Sequence, residues 1–258
     1  MNSMDDTPLV AERHEDGVMW LTLGAGRAHA LSMGVLQALD TGLARAEQDP
    51  DVRVIVLHGP GHIFCAGHDL KEIARHRQDP DLGAAYLQNL FALCAQVMTR
   101  LTLGPKPTVA MVDGIATAAG LQMVAACDLA FASTRASFCL PGVQNGGFCS
   151  TPAVAVGRVI SRKHAMEMAM TGDSYSADWA LAAGLVNRVL PPEALEQVVR
   201  DRVRTLATRH LPAVSLGKQT FYQQLEQPLA EAYQTASDAM LTHFMDPERI
   251  ALERKTWS

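Results

Sequence analysis

The sequence predicts an α/β protein with an all-helical C-terminal part. Three observations carry this reading. Short β-branched runs alternate with helical periodicities as far as residue 190. After Pro191-Pro192 only helical patterns follow. In a chain of 258 residues, 48% are apolar and 19% charged, which is enough to bury a sizeable core.

Residues 17–23 (GVMWLTL) read as a strand. Over 33–47 the apolar residues Val35, Leu36, Leu39, Leu43 and Ala46 fall at helical spacing, with Ser32 as N-cap. The run 52–58 (VRVIVLH) is short and β-branched, hence a buried strand, and Gly59-Pro60-Gly61-His62 breaks it. A long amphipathic helix is predicted over 82–101. Pro105-Lys106-Pro107 punctuates, and 108–112 is a second buried strand ending at Asp113-Gly114. A helix over 120–127 starts among small residues, and short strands follow at 129–133 and 136–139. Helices at 162–170 and 176–183 lie between the N-caps Ser161 and Ser176 and the stops Gly172 and Gly184. A strand covers 186–190, then helices 193–209, 212–225, 229–244 and 247–256. The predicted division is an α/β core over 1–190 and a helical region over 191–258, with no repeat and no low-complexity segment.

Charge and cysteines narrow the functional classes. Net charge is -5, and the 22 Lys and Arg are scattered except at Arg162-Lys163-His164, which argues against nucleic acid. The five cysteines are odd in number and show no CxxC spacing, so they read as reduced thiols of a cytoplasmic protein. The N-terminus, MNSMDDTPLVAERHEDG, is acidic and resembles neither a signal peptide nor an Arg-rich transit peptide. No apolar run approaches the roughly 20 residues of a membrane span.

Two stretches carry candidate chemistry. Phe64-Cys65-Ala66-Gly67-His68-Asp69-Leu70-Lys71-Glu72 follows a buried strand and opens a helix, where backbone N–H groups are unpaired and positively polarised. Small Ala66 and Gly67 let a ligand approach them, although a tight turn explains this stretch taken alone. Ala118-Ala119-Gly120 repeats the arrangement after the second buried strand. Two such corners can aim two N–H groups at one oxygen, as an oxyanion hole does.

Together these stretches resemble the crotonase (enoyl-CoA hydratase/isomerase) family over nearly the whole chain. "FCAGHDLKE" is similar to its first oxyanion motif and "KPTVAMVDGIATAAGLQMVAACDLAFAS" to its second. "AMEMAMTGDSYSADWALAAGLVNRV" is similar to a later helix–turn–helix. The resemblance implies a spiral of ββα turns with a C-terminal helical region that forms the interfaces of a homotrimer or homohexamer. It implies an acyl-CoA as substrate or ligand, no permanently bound cofactor, and lyase or isomerase chemistry in fatty-acid metabolism. The thioester carbonyl would lie between the N–H groups of His68 and Ala119. CoA would lie along Ala66, His68, Asp69, Leu70 and Lys71, with Lys71 and Arg27 near phosphates and Lys218 and Phe221 contacting it from the C-terminal helices. For the three basic residues a solvated surface charge is the plain alternative.

The chain departs from the family's hydratases at two positions. Their two glutamates, which activate water and place a proton, correspond to Gln122 and Gly142. A Gln amide takes no proton at neutral pH, and Gly has no side chain. In this the chain is most like one subgroup, the domain-containing proteins of the third type. Three functions stay open: an acyl-CoA enzyme other than a hydratase, a slow hydratase with Gln122 positioning water, and a non-catalytic acyl-CoA-binding protein. Asn145, Cys149, Ser150, Asp69 and the His68 imidazole lie in or near the pocket segments, Cys149 as a possible nucleophile. Asp69 reads as a helix cap, Asp113 and Asp128 as structural, and Met123, Met166, Met168 and Met170 as core.

Overall fold

The computed structural model describes residues 8–24 and 26–257; the first seven residues of the acidic N-terminus lie outside them. In chain order the elements are β1 (Val10–Glu15), β2 (Val18–Leu23), α1 (Met33–Gln48), β3 (Val54–His58), β4 (Ile63–Cys65) and α2 (Leu70–His76). Then come α3 (Ala84–Leu103), β5 (Thr108–Val112), β6 (Ile115–Thr117), α4 (Ala119–Ala126), β7 (Leu129–Ser133) and β8 (Ser137–Cys139). After a 3-10 turn, Pro141–Asn145, follow α5 (Ser150–Val159), α6 (Arg162–Thr171), β9 (Ser174–Ser176), α7 (Ala177–Ala183) and β10 (Arg188–Leu190). The chain ends with α8 (Pro192–Ala207), α9 (Leu211–Gln224), α10 (Leu229–Phe244) and α11 (Pro247–Trp257).

Local chemistry sets the helix ends as the sequence predicts. Ser32, Ser161 and Ser176 accept the N–H groups of Val35, His164 and Trp179, and Gly172 and Gly184 close α6 and α7 in the left-handed conformation. Five elements escape the periodicity argument, among them β4, β6 and β9, whose three residues are too few to show a period. β1 (VAERHE) is polar because it is an edge strand, paired antiparallel to β2 alone. α5 carries Pro152, but in its first turn, where no intrahelical N–H bond is lost.

Strands divide between two sheets. One has the order β1-β2-β3-β5-β7-β10, parallel from β2 to β10; the other is β4-β6-β8-β9, parallel as far as β8. The consecutive pairs β3/β4, β5/β6 and β7/β8 each place one strand in each sheet, and helices follow. This is the spiral of ββα turns. The larger sheet is buried on both faces, which is why its strands read as unbroken apolar runs. Met19, Leu21, Ile55, Leu57, Ala110 and Val112 face the main core, while Trp20, Val54, Val56, Val109, Met111 and Phe131 face α8.

α8 therefore belongs to the sheet. Leu195, Val199, Val203 and Ala207, four residues apart, form its buried stripe. The core extends to residue 207, beyond the boundary at 190 that the sequence suggested, and the helix-only part begins at α9. Two methionines also differ from expectation. Met123 and Met168 are fully buried, but Met166 and Met170 are exposed, one turn apart on the outer side of α6.

Candidate active site

The two small-residue corners pack directly on each other. β4 ends at Cys65, and the chain turns through Ala66, Gly67 and His68 into α2. Asp69 caps that helix by accepting from the N–H groups of Lys71 and Glu72. β6 ends at Thr117, and α4 begins at Ala119. Gly67 has φ +85°, and a Cβ there would stand 2.9 Å from Ala118 Cβ and 3.2 Å from Ala119 N. A Cβ on Gly120 would overlap the Cys65 carbonyl. These two glycines are thus required by the contact between corners, whereas the sequence by itself suggests ligand approach as the reason for small residues here.

Between them Ala118 sits at φ 51°, ψ -120°, a conformation an L-residue rarely adopts. Such a backbone costs on the order of 1–3 kcal/mol and persists where its surroundings hold it. Here the Ala118 N–H donates to the Cys139 carbonyl at 3.0 Å, and its carbonyl accepts from Gln122 N–H at 3.0 Å. The kink makes Ala119 the first residue of α4, where an N–H has no intrahelical acceptor. At the other corner Leu31 N–H donates to the Gly67 carbonyl and Asp69 N–H donates to the Leu31 carbonyl. That parallel bridge turns the N–H of His68 away from Leu31. Two N–H groups with no backbone acceptor among the described residues thus come from adjoining turns.

Apart from the capping carboxylate of Asp69, the side chains packed at the corners are apolar or neutral. His68 is half-buried with its ring edge-on to Phe91, centroids 5.4 Å apart, and burial lowers its pKa, so the imidazole is uncharged at neutral pH. Phe91 carries no motif signal; only the packing of α3 reveals it. Every residue of α4 is buried, Gln122 included. Gly142, in the 3-10 turn, donates its N–H to Cys149 Sγ at 3.3 Å. A Cβ on Gly142 would lie 2.8 Å from Cys149 N and 3.0 Å from its Sγ. The space of a side chain at 142 is already filled by residues 148 and 149. Burial pushes the Cys149 thiol above its ordinary pKa, with the Gly142 N–H opposing, so it is a protonated packing group and not an activated nucleophile. Asn145 and Ser150 are exposed, one closing the 3-10 turn and the other opening α5.

Of the residues assigned to CoA, Ala66, His68 and Asp69 belong to the first corner, and Leu70 and Lys71 lie exposed on the first turn of α2. Arg27 is exposed, and neither it nor Lys71 forms an ion pair among the described residues. Phe221 is exposed on α9, edge-on to Tyr222. Lys218 differs from expectation. Its side chain is 6% exposed, and its Nζ meets Asp128 Oδ2 at 2.7 Å and donates to the Leu101 and Lys106 carbonyls, both at 2.9 Å. An ammonium so committed is not free for a phosphate. Asp128 also accepts from Thr108 N–H, Thr108 Oγ1 and Tyr222 OH. Asp128 is structural, as expected; that two of its partners, Lys218 and Tyr222, sit on α9 follows only from the tertiary fold. Arg135 pairs with Asp113, which also agrees with a structural reading.

The sequence pattern of the enoyl-CoA hydratase/isomerase family matches residues 13–255, so the chain belongs to that family. It is 43% identical over 234 residues, 90% of this chain and 76% of the other, to a rat protein named enoyl-CoA hydratase domain-containing protein 3, mitochondrial. The crystal structure of human enoyl Coenzyme A hydratase domain-containing protein 3 superposes with a TM-score of 0.88 at 38% identity, covering 93% of each chain. A family protein from Silicibacter pomeroyi superposes with a TM-score of 0.89 at 55% identity, covering 93% of this chain and all of that one. The likeness to the third type of domain-containing protein is thereby established. The expectation of a cytoplasmic location is corrected: the rat, mouse and human relatives are named mitochondrial. Reduced thiols report the redox poise of a compartment and not its address. No helix among the described residues is long and apolar enough to cross a membrane.

Proposed function

We propose that the chain binds an acyl-CoA with the thioester carbonyl oxygen between the N–H groups of His68 and Ala119. The observation that carries this reading is the strained Ala118, held from both sides, which makes Ala119 a helix start beside the His68 corner. Stored strain of this kind calls for a functional reason. Each donor aimed at a developing oxyanion is worth about 3–4 kcal/mol in the transition state. Permanently bound cofactors play no part in this reading; the CoA thioester is substrate or ligand. Gln122 and Gly142 supply no carboxylate, so the chain is an acyl-CoA protein of the lyase/isomerase family and not an efficient hydratase. The filled space at Gly142 favours this over slow hydration with a substituted base, and a non-catalytic acyl-CoA-binding role fits the same geometry.

Titration calorimetry with crotonyl-CoA, alongside a steady-state hydration assay on the same preparation, tests the reading. Binding with negligible turnover is expected. Ala119→Asp, which sets a carboxylate at the second corner, is expected to abolish that binding; unchanged affinity would refute the placement of the carbonyl.

The helix-only part supports assembly as a homotrimer or homohexamer. Leu225, Leu229, Tyr233, Met240, Leu241 and Phe244 are all exposed on α10 and the chain leading into it. Light scattering after gel filtration is expected to give three or six times 27.8 kDa; a monomeric mass would sink this assembly.

A further inference from the structure

A buried nitrogen at the first corner has no partner. The Nε2 of His68 is enclosed and makes no hydrogen bond among the described residues. Such a group costs free energy and calls for a reason. It belongs to the same residue whose backbone N–H stands at the corner. A short run of covalent bonds joins the two nitrogens, so they lie within about 6 Å of each other in any rotamer. Phe91 of α3 holds the ring edge-on, centroids 5.4 Å apart. The carboxylate next in the chain, Asp69, is turned to the N–H groups of Lys71 and Glu72 on α2. Burial alone shifts the imidazole, and it shifts it downward, so the ring is neutral at neutral pH. With its proton on Nδ1, a neutral imidazole offers a lone pair at Nε2. Neither Gln122 nor Gly142 has a group that takes up a proton at this pH.

We infer that the His68 imidazole is the proton-transfer group of this site, acting on the carbon next to the thioester carbonyl. The inference rests on the thioester reading above and deepens it. Nε2 takes a proton from that carbon. The electron pair of the broken C–H bond moves into the thioester as an enolate, whose oxygen lies between the two corner N–H groups. The imidazolium then returns the proton to the carbon. Negative charge thus develops where the two donors point, and a single residue supplies a donor through its backbone and a base through its side chain.

The test follows the α-protons of butyryl-CoA by NMR in D2O with the whole protein, alongside calorimetric titration of the same preparation. Exchange for deuterium is expected at neutral pH. Its rate is expected to fall about tenfold per pH unit on the acid side of 6.5, the ordinary imidazole value, once the ring takes up its own proton. His68→Gln keeps the backbone N–H and removes the base. It is expected to bind butyryl-CoA but to exchange about 10²–10⁴-fold more slowly, with the acid fall gone. Binding without exchange in the native protein would overturn this inference and leave the thioester reading standing. Undiminished exchange in His68→Gln would overturn it as well. Failure of the native protein to bind butyryl-CoA would refute the thioester reading, and this inference with it. Should the variant not fold, the native profile decides: a rate that stays level down to about pH 4, well below the imidazole range, would exclude His68 as the base.

Discussion

Gly142 is the residue at which family resemblance and local geometry make different demands. By resemblance it stands where a hydratase carries a glutamate. By geometry its missing side chain is replaced by Cys149, whose Sγ accepts the Gly142 N–H. Restoring carboxylates is therefore more than a change of two side chains. Gln122→Glu combined with Gly142→Glu is expected to give no gain in crotonyl-CoA hydration and a lower melting temperature, since the new Cβ meets the backbone of residues 148 and 149 at 2.8–2.9 Å. A rise in rate of about 10²-fold or more, the contribution of a placed general base, would show that this loop moves aside.

At the scale of elements, Lys218 and Asp128 fasten α9 to the core between α3, β5 and β7. Both are well buried, with side chains 6% and 17% exposed. Removing one partner of such a pair leaves the other charge uncompensated, which costs about 3–5 kcal/mol. Lys218→Met is thus expected to lower unfolding free energy by that order, measured by urea titration, while leaving acyl-CoA affinity within about twofold. The reverse pattern, lost affinity with unchanged stability, would return Lys218 to the CoA phosphates. Tyr222 belongs to the same cluster; burial and the neighbouring Asp128 push its hydroxyl above its ordinary pKa, so it remains a donor.

The whole molecule carries a pH signature from its buried thiols. Burial pushes Cys65, Cys94 and Cys127 each up to about 12. A group whose folded pKa is raised binds its proton more tightly in the native state, so its contribution is fully present below the unfolded value of 9.0. That contribution is lost as pH climbs from 9 toward 12. Unfolding free energy is expected to decline across this alkaline window, and Cys127→Ala to flatten the decline. A curve of native and variant that run parallel from pH 9 to 11 would rule out Cys127 as a source.

Much of this architecture was already legible in the sequence, for a physical reason. Strands buried on both faces read as the apolar runs VIVLH and TVAMV, serine caps and glycine stops fix helix ends by local hydrogen bonding and backbone freedom, and the two small-residue corners stand out because each follows a buried strand and opens a helix. Gln122 and Gly142 were legible as absences against a motif. What only the tertiary structure decided depends on contacts between distant segments. The glycines of the corners serve each other's packing; Cys149 fills the space at Gly142; Phe91 walls His68; Lys218 is spent on Asp128 across a separation of 90 positions, 218 less 128; and the apolar stripe of α8 lies on the sheet, a partner that its helical period does not name. Local sequence encodes which groups a segment must satisfy within a turn or two, whereas the identity of a partner dozens of residues away is set by how the layers stack.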